Sequence, residues 1–115
     1  MSWNQPEVLD ARKLILEAAT GILSGGVSPI EGARRIAIHR FAARLETDPD
    51  ILPFVGIDSE TDALPLGSDR VHWRAQSLDE LQPTIDAAQA RARDFADKHC
   101  RSLLQRSVDL LRWPD

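Results

Sequence analysis

The sequence predicts an all-α protein: a helical bundle of three main helices plus a short helix, with a long irregular acidic loop, residues 57–73, across one end. Three stretches, 8–23, 30–45 and 81–111, carry apolar residues at the spacing of an amphipathic helix. Helix-capping motifs precede the second and third stretches. The loop lacks this periodicity and contains Gly, Pro and acidic residues. At 115 residues, 43% hydrophobic and 28% charged, the chain is expected to form a single helical domain, residues 1–115.

The first helix is predicted over residues 1–24. Pro6 suits its first turn, where a backbone N–H would have no partner inside the helix. One buried face is formed by Val8, Ala11, Ile15, Ala18 and Ile22, widened by Leu9, Leu14, Ala19 and Leu23. Gly25 and Gly26 end the helix, because glycine readily adopts the left-handed conformation of a C-cap.

The second helix begins with a capping box, in which the Ser28 hydroxyl accepts from the Glu31 amide and the Glu31 carboxylate reaches back. Its core stripe is predicted to be Ile30, Ala33, Ala37, Phe41 and Leu45, with Ile36 and Ile38 beside it. The connection to the first helix is short, so we expect the two to pack as an antiparallel hairpin.

The segment after the second helix is predicted to be mostly irregular. Residues 47–50 indicate a turn or the cap of a short helix, which Pro53 and Gly56 keep short. The apolar residues here are expected to close one end of the core: Ile51, Leu52, Phe54, Val55 and Ile57. Residues 58–69 are predicted to be loop, and residues 71–73 a short strand that pairs locally.

The last helix is predicted to start at a second capping box, Ser77 to Glu80. Its apolar stripe is Leu81, Ile85, Ala88, Ala92, Phe95, His99 and Leu103. A straight helix over residues 77–112 would be about 54 Å long, whereas a compact domain of this size has a radius of gyration near 13 Å. We therefore expect a break near Pro83, the alternative being an overhang that pairs with another copy.

Charge is distributed unevenly around the predicted loop. Residues 45–69 hold seven acids and no Lys or Arg: Glu46, Asp48, Asp50, Asp58, Glu60, Asp62 and Asp69. Residues 34–44 hold four arginines and no acid. Either the two regions neutralise each other locally, or they form a bipolar surface that steers a charged partner.

The acids Asp58, Glu60 and Asp62 stand at every second position, as at the start of a calcium loop. The central glycine and distal glutamate of such a loop are missing, so the sequence predicts no metal site and no cofactor. Acidic and hydroxyl side chains also cap turns. We expect Asp58 and Asp62 to fix the loop by capping and by pairing with arginines of the second helix.

His72 and Trp73 follow these acids. A histidine near carboxylates is a candidate general base. However, Ser59 does not lie in the Gly-x-Ser-x-Gly context of an activated serine, so no catalytic residue is predicted. Trp73 is expected to cover the core. His99 is expected to be a core histidine with a hydrogen-bond partner.

Several classes are excluded by the whole sequence. The single cysteine allows no disulfide within one chain, which fits a reducing compartment. We find neither a basic leader before an apolar run nor an apolar stretch of about 20 residues. We therefore expect a cytoplasmic protein without a membrane partner. The pI of about 5.3 argues against nucleic acid.

The segment Phe-Val-Gly-Ile-Asp-Ser-Glu-Thr-Asp, residues 54–62, resembles the mark of a family of small bacterial helical proteins of unknown function. In that family a helical hairpin opening like residues 28–32 precedes the same segment. The resemblance covers roughly residues 8–106 and implies no activity. It implies a role as a toxin-immunity protein.

Three functions remain open. The first is a non-enzymatic protein-interaction module, an immunity or inhibitor protein that binds a basic toxin through the acidic loop with Asp58, Glu60, Asp62, His72 and Trp73. The second is a small enzyme or ligand-binding domain that uses Asp58, Glu60, Asp62 and His72, which requires a concave pocket where these groups converge. The third is a homodimeric structural module built on the last helix.

Overall fold

The computed structural model describes residues 5–112, apart from the side chain of Ser68. Its elements are α1 (Gln5–Ser24), α2 (Pro29–His39), α3 (Leu52–Thr61), a 3₁₀ helix (Gly67–His72), α4 (Ala75–Gln105) and α5 (Ser107–Leu110). No β-strand occurs between residues 5 and 112, which confirms the all-helical prediction. The strand predicted at 71–73 is wrong, because residues 71 and 72 belong to the 3₁₀ helix. The first four predicted helical residues lie outside the described residues.

The core lies where α1, α2 and α4 pack together, with α3 against α2 and α4. α1 and α2 form the predicted antiparallel hairpin, and Gly25 ends α1 with φ 85°. The Ser28 hydroxyl accepts a hydrogen bond from the Glu31 amide at 3.2 Å, which confirms the predicted cap of α2. Gly32 lets the two helices approach closely, because a Cβ there would collide with Ile22.

α2 is shorter than its apolar stripe predicts. It ends at His39, and turns follow as far as residue 51. Phe41 is therefore 62% exposed rather than part of the core, and Ile38 is 73% exposed on the outer side of α2. Leu45 is buried as predicted, but from the turn rather than from a helix.

α3 occupies much of the predicted acidic loop. Asp58 to Thr61 are helical, so only residues 62–66 connect α3 to the 3₁₀ helix. Pro53 lies in the first turn, where proline is tolerated, and Gly56 does not stop the helix. The prediction of a long irregular loop over residues 57–73 is therefore wrong in its extent. The Thr61 hydroxyl donates to the Ile57 carbonyl at 2.6 Å, so a side chain expected in a turn bonds within the helix.

α4 differs from the prediction at its start and at Pro83. It begins at Ala75, so Ser77 and Glu80 lie inside its first two turns, and Arg74 occupies the N-cap without a side-chain cap. Pro83 does not break α4, which continues to Gln105. Pro83 and Asp79 are both exposed, so water can solvate the Asp79 carbonyl that Pro83 leaves without a donor.

The buried face of α4 is close to the predicted stripe but turns away from it in the second half. It consists of Ile85, Ala88, Ala92, Ala96, Cys100 and Leu103. Phe95 is 55% exposed and His99 is half-buried, and their neighbours Ala96 and Cys100 lie in the core instead. No helix between residues 5 and 112 combines the length and apolar content needed to cross a bilayer.

The first half of α4 projects beyond the hairpin. The Ile30 amide at the start of α2 donates to Gln89 Oε1 at 3.0 Å, and Arg93 bonds the Ile22 carbonyl near the end of α1. Residues 75–88, about 20 Å of helix, therefore extend past the start of α2. The molecule measures 55 × 26 × 22 Å. The 3₁₀ helix bonds this part of α4 through the Arg70 guanidinium, which donates to Gln82 Oε1 at 3.4 Å.

Candidate functional site

The acids singled out in the sequence lie at the C-terminal end of α3. Asp58 and Glu60 are in its last turn, Asp62 is its C-cap, and its first turn holds no acid. The carbonyl end of a helix carries partial negative charge, so carboxylates there reduce helix stability. The acids of α3 therefore lie at the end of the helix where negative charge is unfavourable. The stability of the fold does not explain this placement.

Arg34 of α2 offsets part of this charge. Its Nε lies 3.8 Å from Asp58 Oδ1, which is the predicted pairing with the second helix. Its Nη2 donates to the carbonyls of Thr61 and of Leu64, the latter at 3.3 Å. One guanidinium thus caps the end of α3 and fixes the segment that follows. Asp62, expected to pair in the same way, is exposed.

The remaining candidate residues face solvent. Within residues 5–112, the side chains of Glu60, Asp62, Asp69 and His72 are exposed and form neither hydrogen bonds nor ion pairs with other side chains. Trp73 follows the 3₁₀ helix and is 42% exposed. We call Glu60, Asp62, Asp69, His72 and Trp73 the acidic end. Glu60 and Asp62 lie at the end of α3, Asp69 and His72 lie in the 3₁₀ helix, and Trp73 follows it.

Within the described residues, the acids and the histidine of the acidic end are not arranged as a metal site. No group of three or more His, Cys, Asp or Glu side chains between residues 5 and 112 is arranged to hold a metal ion. Each fully buried side-chain nitrogen or oxygen in this range has a hydrogen-bond partner. A shallow depression of about 360 Å³ lies between α1 and Leu111, lined by Lys13, Leu16, Glu17, Thr20 and Leu111. It contains none of the predicted site residues.

A second polar cluster, which the sequence did not reveal, lies at the opposite end of the bundle. Arg106 donates to both Asp48 oxygens, at 2.9 and 2.6 Å, and to Asp50 Oδ2 at 2.8 Å. Asp50 also accepts from the Ser102 hydroxyl at 2.7 Å, and its Oδ1 lies 3.1 Å from His99 Nδ1. We call these five residues the Arg106 network. It attaches the turn before α3 to the end of α4.

The network holds its carboxylates in the charged form. The hydrogen bond from Arg106 is the main cause that lowers the pKa of Asp48, outweighing the effect of burial. Burial alone would raise the pKa of Asp50, but hydrogen bonds from Ser102, His99 and Arg106 together lower it. The bond with Asp48 raises the pKa of Arg106. These contacts are typical of a structural ion cluster, and His99 has the partner that the sequence predicts.

Two further groups serve packing. Arg12 of α1 donates to the Ala43 carbonyl at 2.9 Å and to the Leu110 carbonyl at 3.0 Å, so it joins α1 to the turn and to α5. Burial lowers the pKa of Arg12, as does the nearby charge of Arg44. Burial also raises the pKa of the Cys100 thiol to about 12, so this sulfur stays protonated near neutral pH and is a poor nucleophile.

No protein-family model, curated protein or solved structure matches this chain.

Proposed function

We propose that this chain is a non-enzymatic protein-interaction module that binds a basic surface of a partner protein through its acidic end. The observation that carries the proposal is the placement of Glu60 and Asp62 at the C-terminal end of α3. Acids that oppose the helix dipole and lack side-chain partners reduce stability, and such local conflicts are common at functional sites.

The aromatic residue of this end supports the same function. Trp73 is 42% exposed, and Val71 two residues earlier is 78% exposed. Tryptophan often provides much of the binding energy of protein interfaces, and charged residues around an apolar centre steer the encounter. An immunity or inhibitor protein that blocks a basic toxin is the role we favour, since a set of free carboxylates is complementary to a positively charged site.

The test compares two charge-reversed proteins as baits in a native cell lysate at about 50 and 500 mM salt. One carries Glu60→Lys, Asp62→Lys and Asp69→Lys. The matched control carries Asp10→Lys, Glu17→Lys and Asp94→Lys, three exposed acids elsewhere, and changes the net charge equally. We expect mass spectrometry to find a basic protein that the wild type and the control capture at low salt and the acidic-end variant does not.

Trp73→Ala, added to the same series, should speed dissociation of the captured protein without changing its salt dependence. If the two triple variants lose the partner equally, net charge rather than the acidic end is responsible. A partner that stays bound equally well at both salt concentrations contradicts the electrostatic mechanism.

A further inference from the structure

Arg34 of α2 binds the main chain from which the acidic end projects. Its Nη2 donates to the Thr61 carbonyl, and Thr61 stands between Glu60 and Asp62 in the chain. The same nitrogen donates to the Leu64 carbonyl at 3.3 Å, two residues beyond Asp62. The guanidinium therefore holds the main chain on both sides of Asp62, while the carboxylates of Glu60 and Asp62 remain exposed.

The planar guanidinium suits this position better than another cation does. An arginine side chain has five N–H donors in a rigid fork, so it can bond several acceptors at once. Besides the two carbonyls, Arg34 approaches Asp58, with 3.8 Å between its Nε and Asp58 Oδ1. Carbonyls at the end of a helix carry partial negative charge, which favours a cation there. A lysine ammonium is a single point of charge and could not span all three groups.

α2 also lies beside the rest of the connection between α3 and the 3₁₀ helix. Leu66 is buried, and Gly67 turns the chain after it with φ 55°. A Cβ added at Gly67 would lie 3.7 Å from Glu31 Oε2, so the main chain passes close to Glu31. Glu31 and Arg34 are three residues apart on α2 and therefore share one side of that helix. Residues 62–66 thus run along this side of α2, and Arg34 fixes the start of their path.

The acidic end consists of two parts, the end of α3 and the 3₁₀ helix, which this connection joins. A binding surface that is already formed loses less conformational entropy when its partner binds. We propose that Arg34 is a positioning residue for the acidic end: it holds Glu60 and Asp62 in a fixed arrangement with the 3₁₀ helix, ready to bind a basic partner. This role rests on the proposed function and adds to it a basic residue that lies outside the acidic end.

Charge and positioning predict opposite effects when Arg34 is lost. Arg34→Gln removes a positive charge beside the acidic end, so charge alone would strengthen binding of a basic partner. Positioning predicts binding about tenfold weaker, because the partner must then order the connection. Arg35→Gln is the matched control, since Arg35 is the exposed neighbour on α2 and the change in charge is the same. It should leave the affinity within about twofold of the wild type, or raise it.

The first measurement is NMR relaxation of the free, full chain. In Arg34→Gln, the backbone order parameters of residues 62–69 should fall towards about 0.6, whereas those of α1 should stay near about 0.85. Arg35→Gln should leave both regions as in the wild type. If residues 62–69 of Arg34→Gln remain as ordered as in the wild type, the proposal is overturned.

The second measurement is an NMR titration with a short oligolysine peptide at about 50 mM salt. We expect the wild type and Arg35→Gln to bind with shifts centred on the acidic end, and Arg34→Gln to bind about tenfold more weakly. Arg34→Lys keeps the charge and provides a second variant should Arg34→Gln fail to fold. It should also bind more weakly than the wild type, because an ammonium cannot replace the fork.

The outcomes separate this inference from the proposed function. Equal or tighter binding of the peptide by Arg34→Gln, or wild-type affinity in Arg34→Lys, overturns the positioning role and leaves the proposed function standing. A wild type that does not bind the peptide at the acidic end counts against the proposed function itself, and this inference then fails with it.

Discussion

Arg106 is the residue on which the turn before α3 depends most. It neutralises two carboxylates whose side chains are only 11% and 18% exposed, Asp48 and Asp50. Arg106→Ala leaves both without their main counter-charge, and we expect it to lower the free energy of unfolding by about 2 kcal/mol. Arg101→Ala is the control, because the Arg101–Asp97 pair is exposed to solvent and should contribute little to stability. Urea denaturation measures both, and equal losses would contradict a special role for Arg106.

The same carboxylates make stability depend on pH. The pKa values of Asp48 and Asp50 are lower in the folded protein than in the unfolded chain. Their contribution is therefore fully present above the unfolded pKa of about 3.9 and disappears as pH falls through the lower folded values. We expect stability to drop steeply below about pH 4. The double variant Asp48→Asn and Asp50→Asn should be less stable at neutral pH, and its stability should change less between about pH 5 and 2. The midpoints of urea denaturation measure both effects.

Sequence reasoning missed this network because its partners are far apart in the chain. Asp48 and Asp50 are separated from His99, Ser102 and Arg106 by about fifty residues, and no local pattern joins them. A partial signal exists, since the last three are spaced to share one face of a helix. By contrast, the pairing of Asp58 with an arginine of α2 could be predicted, because an acidic segment follows a basic helix directly in the sequence.

At the scale of elements, replacing two helical glycines with alanine should have opposite effects on the stability of the protein. Gly56 lies inside α3 with open space around it, so Gly56→Ala should stabilise the protein by about 0.5–1 kcal/mol. Gly32 lies inside α2 against Ile22, so Gly32→Ala should destabilise it despite the same gain in helix propensity. Thermal unfolding of both variants measures this difference. A destabilising Gly56→Ala would mean that another group occupies the space above α3.

Helix boundaries could be predicted where the determinants are local. The cap formed by Ser28 needs only its own turn, and the structure contains it. The predicted boundaries are wrong where tertiary packing outweighs the local preference of the sequence. Residues 58–61 favour turns by composition, yet Ile57 and Thr61 are buried and continue α3. Pro83 favours a break, yet its exposed position lets α4 continue through it.

At the scale of the whole molecule, the conflict between the long last helix and a compact domain is resolved by shape. The radius of gyration is 15.3 Å, above the value near 13 Å expected of a compact chain of this length. We expected a break near Pro83, but the helix instead projects, and Arg70 of the 3₁₀ helix bonds Gln82 on this part of it. Sequence length and periodicity define the helices, whereas only tertiary contacts such as that of Ile30 with Gln89 locate the projection.

The projecting start of α4 also implies graded stability along one helix. Its second half is held by α1, α2, α3 and the Arg106 network, whereas residues 75–80 are largely exposed and their first turn has no side-chain cap. Opening the exposed turns breaks few apolar contacts, so it costs far less free energy than global unfolding. The amides of this end should therefore exchange with solvent through local fluctuations while the rest of the same helix exchanges only when the whole molecule unfolds.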